Sequence, residues 1–542
     1  MGLCFLGLYI IPLGIRPLVI PDEVRYGEIP REMVDSNDWI VPHLNGLLYF
    51  EKPVMGYWLN GLAIKTFGKN PFAVRISSAL SAGLSALVVF FLAAKFGGGT
   101  RKGVLAAAIY LSFFIVFGLG VFSLLDGMFS FFLTACIGFF FLAWSCRDQI
   151  GLHRLHLVIA GIFCGFAFLT KGFLAFALPI SVIVPFLLWE RQYKMIFTAS
   201  WIPILTALMV ILPWALLVHF HAPDYWNFFF WHEHVKRFFS QEGAQHKESL
   251  FFYLLVLPAA IFPWTFLAPT AIAGLFQKKR LPSDLRYAVC WFVFPFLLFS
   301  FSSGKLPTYI LPCFPALAIL MATGLLKSLT PPKTYGFNKG VICLMGFTAI
   351  IIVALILLQN GVIEKLPHVY KDSWKAVLFI AAMIVFALVL HLSLKTKDPV
   401  KKILLFAAAP LFFYLSAHFL VPDKTLLRKC PGQLIQRNKD KITSRTLVVS
   451  PSTPVRAVCW FLERDDVYML DKGELVYGLG QKDAVHRLLS QEQLVTMANE
   501  NRGQQKLALI MDQRKYEQIK DQLPLPDFMD SSGKGGFVFI LF

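Results

Sequence analysis

The chain has 542 residues, of which 56% are hydrophobic and only 15% charged, with 54 Phe. Soluble domains run at about 45–50% apolar and about 25% charged, so this composition excludes an ordinary soluble protein and predicts a polytopic α-helical membrane protein. The short alternating segments of a β-barrel are not seen. A formal net charge of +18 would suggest nucleic acid in a soluble chain. No nucleic-acid module is visible, and Lys and Arg gathered in cytoplasmic loops account for the charge, with anionic lipid substrates as a second contribution.

The first apolar run, Gly2–Ile20, lacks the basic flank and small-residue cleavage site of a signal peptide and reads as a retained anchor. Further runs approach the ~20 residues a membrane helix needs. They are Ser77–Phe96, Gly103–Gly120, Met128–Trp144, Leu157–Leu169, Phe173–Trp189, Phe197–His219, Leu250–Phe276, Tyr287–Phe301, Tyr309–Leu326, Val341–Leu358, Ala376–Leu394 and Ile403–Leu420. About thirteen spans are therefore predicted. Basic residues mark alternate loops: Arg101 and Lys102, Arg147 and Arg154, Arg191 and Lys194, Lys278 to Arg280, Lys327 and Lys333, and Lys395 to Lys402. By the positive-inside rule that side is cytoplasmic, which starts the chain in the cytoplasm and, after an odd number of spans, places the C-terminal part outside.

The outer loops hold the polar residues that are hard to explain. The first, residues 21–76, contains Pro21-Asp22-Glu23-Val24-Arg25-Tyr26-Gly27-Glu28-Ile29 and Tyr49-Phe50-Glu51-Lys52-Pro53. Charges beside a membrane span are costly unless they face water, a partner or a ligand. Acids, bases and aromatics alternating there suit a substrate with both a phosphate and a sugar. Pro53 could open a helix, and the apolar spacing from Val54 to Ile64 predicts an interfacial helix lying on the membrane. Later outer loops carry Asp126, Lys171, an aromatic and charged stretch from His219 to Glu248, and Lys305 with Tyr309.

From about Val421 charges become dense. Thr446–Ser450, Val467–Leu470, Leu507–Met511 and Gly536–Leu541 read as strands, and Ala484–Ala498 and Arg514–Gln522 as helices, giving a small α/β soluble domain over 422–542 after a transmembrane unit over 1–421. Of the nine cysteines, most sit in apolar runs as small hydrophobes. Cys430 and Cys459 lie in the C-terminal part and could pair in an oxidising compartment.

The run from Asp22 to Ile29, Arg31-Glu32-Met33, Gly46 to Pro53 and Gly56-Tyr57-Trp58 resemble the aminoarabinose transferases of Gram-negative bacteria. So do Leu169 to Ala175, Phe230 to Phe238, Ala244 to Lys247 and Gly304 to Pro312. The resemblance is collinear over the membrane part and adds little beyond it. It implies a membrane-embedded C-type glycosyltransferase with thirteen spans and a periplasmic C-terminal domain, in the bacterial inner membrane. Such an enzyme moves 4-amino-4-deoxy-L-arabinose from undecaprenyl phosphate to a lipid A phosphate, with inversion, and so confers resistance to polymyxin and cationic peptides. A monomer among membrane lipids is expected. No nucleotide cofactor is expected, since no glycine-rich dinucleotide loop follows a strand.

The resemblance carries an essential acid to Asp22, which could otherwise be a helix N-cap. Because a phosphate monoester is already ionised at neutral pH, Asp22 orients the acceptor or holds the donor amine more readily than it acts as a base, and the choice stays open. Lys52 grips the carrier phosphate, which is also the leaving group, as an alternative to plain snorkelling. Arg237 shares that phosphate or anchors the loop. Asp126 matches a second catalytic acid, or a cap. Arg25, Tyr26 and Lys171 match polar cavity positions, and Lys305 and Tyr309 a loop that closes on the carrier. Glu51 with His234 or His232 could hold zinc, although two protein ligands are few. The alternatives are a transferase for another sugar, such as galactosamine or mannose, or for a protein hydroxyl. A lipid or sugar transporter also fits many spans and intramembrane charges, but no internal repeat is visible.

Overall fold

The computed structural model describes residues 1–231, 248–277, 280–329, 335–362, 368–501 and 505–542. His232, His234, Arg237 and the Lys278-Lys279 pair therefore lie outside the described residues. Among those described, nine helices are long and apolar enough to cross a bilayer, and each overlaps a predicted run. Two further pairs qualify as single bent spans: Gly99–Ser112 with Phe114–Gly120, bent by 70°, and Phe252–Ala260 with Trp264–Leu275, bent by 101°. Gly2–Gly14 and Leu174–Trp189 are shorter apolar helices. The protein is thus a multi-pass membrane protein. The run expected over Leu157–Leu169 belongs to a helix of 22 residues, Ile150–Lys171. Its first turns carry His153, Arg154 and His156, which interrupt the apolar pattern but not the helix.

The site is positioned by five helices and a hairpin. The acidic stretch after Pro21 is itself a helix, α1 (Asp22–Ser36), with Asp22 and Glu23 in its first turn. Carboxylates there complement the helix dipole. Asn37 ends it in the left-handed conformation, φ 57°. Glu23 is fully buried between Arg16 and Arg75, which donate to both of its oxygens at 2.7–2.8 Å. Arg75 also binds the carbonyls of Leu13, Arg16 and Pro17. This lock fixes the direction of α1.

Strands β1 (His43–Leu44) and β2 (Leu47–Leu48) pair antiparallel. Asn45 and Gly46 join them, both with positive φ, 59° and 66°, as a two-residue hairpin turn requires. Their amides donate to Glu32 on α1 at 2.6 and 2.9 Å.

The interfacial helix expected to open at Pro53 begins instead at Met55, as α2 (Met55–Phe67). One face packs inward: Tyr57, Asn60, Gly61 and Ile64 are buried against neighbouring elements including α1, where Asn60 Nδ2 donates to the Tyr26 carbonyl at 2.8 Å. Leu62 and Phe67 stay exposed. Then come α3 (Pro71–Lys95), α4 (Leu125–Ser145) and α5 (Ile150–Lys171). A Cβ at Gly56 would fall 2.1 Å from Leu125 Cδ2, so glycine allows α2 to approach the start of α4, next to Asp126.

The C-terminal part contains a mixed five-stranded sheet in the order β4–β3–β5–β7–β6. The strands are β3 (Leu447–Ser450), β4 (Tyr468–Met469), β5 (Leu507–Asp512), β6 (Phe528–Ser531) and β7 (Phe537–Leu541). Four were expected within a residue or two. β6 was not, because its Phe-Met-Asp-Ser sequence lacks an apolar run. The expected helix over Ala484–Ala498 is a helix over Gln491–Glu500 started by a capping box at Ser490. Helix α6 (Ser452–Leu462) was not expected; it packs on α1. Asn45 exchanges hydrogen bonds with Val467 at 2.8 and 3.0 Å, Ile20 N–H donates to the Lys429 carbonyl, and Lys69 pairs with Glu463 at 2.7 Å. The disulfide that Cys430 and Cys459 could form in an oxidising compartment is not present. Both thiols are free and buried, and Cys459 donates to Asn45 Oδ1 at 3.4 Å.

Candidate active site

The sequence placed its acids and bases in separate outer loops. In the structure the first turn of α1, the end of the hairpin and the facing ends of α4 and α5 come together. Arg25 is the hub. Its Nη2 donates to Asp22 Oδ1 at 2.6 Å and to the Tyr26 hydroxyl at 3.2 Å, and its Nη1 donates to Glu474 Oε2 at 2.5 Å. The Asp22 side chain is 38% exposed while that of Arg25 is 10% exposed. Asp22 therefore faces open space and is aimed there by a buried cation. It is not an N-cap: the cap position is Pro21, and Asp22 makes no capping bond.

Tyr26 stacks on Tyr57, centroids 6.2 Å apart. Burial above all pushes the Tyr26 phenol above its usual range; Arg25 opposes this, while Asp22 and then Asp126 add to it. The Tyr26 phenol therefore stays neutral, and its hydroxyl accepts from Arg25. Asp126 accepts from Lys171 Nζ at 2.8 Å, and that ammonium lies 5.0 Å over the Tyr309 ring. One end of each of α4, α5 and the 307–313 turn is joined in this way.

On the hairpin side, Tyr49 donates to Glu51 Oε2 at 3.1 Å and Lys52 Nζ donates to the Glu51 carbonyl at 2.8 Å. Glu51 is buried, and among the described residues no cluster of three His, Cys, Asp or Glu side chains could hold a metal. Lys305 is buried and donates to the Glu248 carbonyl at 3.0 Å, tying two outer loops together.

Glu474 was missed by sequence reasoning. It lies in the C-terminal part, in Lys472-Gly473-Glu474, with no motif around it. Its carboxylate binds Arg25, Arg456 and, at 3.4 Å, the Tyr49 hydroxyl. Only the fold could reveal an acid more than 400 residues from Arg25. The buried hydroxyl of Tyr57 and Nε of Arg25 have no protein partner among the described residues. Donors of this kind suit a polar ligand, since a buried unsatisfied donor is costly. An exposed acid, cations, tyrosine hydroxyls and apolar spans below them can together receive a phosphorylated, sugar-bearing lipid.

Comparisons with known proteins agree with this chemistry. A family model for dolichyl-phosphate-mannose-protein mannosyltransferase matches residues 1–229. A second, for the arabinosyl transferase ArnT C-terminal domain, matches residues 426–540. The fold is similar to that of ArnT from Cupriavidus metallidurans, solved in the apo state and bound to undecaprenyl phosphate. The TM-score is 0.83 at 22% identity over 100% of this chain and 96% of that one. Fold and site define an enzyme of the polyprenyl-phosphate-sugar glycosyltransferase class. The undecaprenyl phosphate-α-4-amino-4-deoxy-L-arabinose arabinosyl transferase of Shewanella sediminis is 38% identical over 99% of this chain and 96% of its own length. That of Edwardsiella ictaluri is 38% identical over 98% and 97%. The chain belongs to this arabinosyl transferase family.

Proposed function

We infer that the chain transfers 4-amino-4-deoxy-L-arabinose from undecaprenyl phosphate to a phosphate of lipid A, at the periplasmic face of a bacterial inner membrane. The observation that carries this is near full-length similarity to transferases of that name, joined to a partly exposed Asp22 held by Arg25, which also bonds Tyr26 and Glu474. Placing a cationic sugar on an anionic lipid lowers its attraction for cationic peptides and polymyxin, and resistance is the expected consequence.

The reaction is a direct displacement with inversion. The acceptor phosphate oxygen attacks the anomeric carbon as the bond to the carrier phosphate breaks. The acceptor needs no general base because it is already ionised. The barrier lies in charge moving onto the leaving phosphate, and cations aimed at that oxygen lower it. Lys52, with Arg237 from the 232–247 stretch, is assigned to that phosphate. Asp22 orients the incoming acceptor or the donor amine; Asp126, paired with Lys171, borders the sugar; Tyr26 and Arg25 shape the cavity, and Tyr309 and Lys305 belong to the loop that closes on the carrier. Zinc is proposed on Glu51 with His234 or His232. The buried Glu51 carboxylate is a suitable oxygen donor, and bound metal would add positive charge beside the carrier phosphate.

We read thirteen spans: the nine long helices, the two bent pairs and the two shorter apolar helices overlap the predicted runs one for one. Residues 1–421 then form the transmembrane unit, with its outer segment 21–76, and 422–542 form a periplasmic α/β domain; the enzyme acts as a monomer. A phosphatase fusion after Phe542 should be active, and a fusion active only in the cytoplasm would refute this topology. Purified protein in detergent, given an undecaprenyl-phosphate aminoarabinose and lipid A, should form aminoarabinosyl lipid A. Failure with these but success with a hexose-bearing carrier would assign the chain another sugar.

A further inference from the structure

Arg456 belongs to α6, in the C-terminal part, yet its guanidinium meets the carboxylate that binds Arg25. The residue is 4% exposed. Its Nη2 donates to Glu474 Oε2 at 2.6 Å, its Nη1 to the Ser452 carbonyl at 3.0 Å, and its buried Nε has no protein partner among the described residues. The oxygen it binds is the one that accepts from Arg25 at 2.5 Å. One carboxylate oxygen thus joins two buried guanidinium groups, one from each part of the chain. An apolar pair of similar volume would be as stable or more so, and an orphaned donor adds cost. Stability alone does not account for this arrangement; a charge relay ending at Asp22 does.

We propose that Arg456 is a positioning residue of the transfer reaction: it fixes the Glu474 carboxylate against Arg25, and so sets how Arg25 holds Asp22 and Tyr26. The inference rests on the function proposed above. Glu474 is bound by Arg25 from α1, Tyr49 after the hairpin and Arg456 from α6; Asp22 and Tyr26 share Arg25 with it, and Glu51 shares the Tyr49 hydroxyl. Burial would raise its carboxyl, but Arg25 and Arg456 outweigh that and hold it at about 2. Without Arg456 the cluster carries one more uncompensated negative charge, and Arg25 alone holds both acids.

Purified full-length protein tests this. Arg456→Met should lower kcat roughly ten- to hundredfold, the scale of losing a buried charge-assisted bond, with Arg456→Lys recovering part. The acid limb of its activity should also move to higher pH than in the wild type, as Glu474 protonates more easily. In a Glu474→Gln background, Arg456→Met should add little. Arg437→Met, which breaks an exposed pair with Asp530, should change none of these. Hydrogen exchange of residues 22–26 should speed up in Arg456→Met whatever the substrate is. Wild type that transfers no aminoarabinose would overturn the proposed function, and exchange would still decide the relay. Equal loss in the Glu474→Gln background, an unchanged pH profile, or unchanged exchange at residues 22–26 would overturn the role of Arg456.

Discussion

At the scale of single residues, two kinds of buried charge do different work. Glu23 is fully buried in a closed lock with Arg16 and Arg75. Arg75→Met would leave that carboxylate half-compensated, and breaking one partner of a buried pair costs about 3–5 kcal/mol; thermal unfolding in detergent should show the loss. The pH sign follows from the same contacts. Burial opposes ionisation of Glu23, but the two arginines outweigh it and lower its pKa from 4.5 to about 2. Its stabilisation is full above pH 4.5 and is lost as pH falls through 2, so Glu23→Gln should flatten that part of the stability curve. Asp22, one residue away, is partly exposed and takes no part in this lock. Asp22→Ala should abolish transfer, by at least about a hundredfold, with normal insertion and thermal stability; wild-type activity would remove Asp22 from the mechanism. Lys52→Ala should weaken undecaprenyl phosphate binding by roughly ten- to hundredfold, and Lys52→Arg by less, read by competition with labelled carrier.

At the scale of elements, the spans were legible because twenty apolar residues have few alternatives. The outer segment was legible in content but not in form. The stretch at Asp22 reads as a charged loop because Glu23, Arg25, Glu28, Arg31 and Glu32 are all buried, and a buried ionic helix shows no apolar stripe. Asn45-Gly46 was a fair hairpin signal that the short strands concealed. What the turn does depends on Glu32 from α1 and on Val467 from far along the chain, which no local pattern records. Gly46 has φ 66°, and a Cβ there would lie 2.6 Å from the Asp465 carbonyl oxygen. Gly46→Ala should therefore cost roughly 1–3 kcal/mol and loosen the C-terminal part. Faster limited proteolysis between residues 422 and 446 would show this, and an unchanged digestion pattern would contradict it.

At the scale of the molecule, the C-terminal part completes the site. Glu474, held by Arg456, accepts from Arg25, Asn45 locks to Val467, and Tyr477 donates to Asp224 at 3.1 Å. None of this was readable from the sequence, where residues 422–542 carry no catalytic motif, because contacts across four hundred residues are set by packing alone. The loops bearing Asp22, Asp126, Lys171 and Tyr309 were readable, since charge beside apolar spans has to be explained, and the structure gathers them at one end of the bundle. The central claim is that this cluster moves one aminopentose onto lipid A. Mass spectrometry of lipid A from cells lacking the protein, and from the same cells expressing it or its Asp22→Ala variant, tests it most directly. The wild-type chain should add the mass of one aminopentose unit and the variant none. Lipid A of unchanged mass under wild-type expression with donor present, or a gain matching a hexose, would contradict the account.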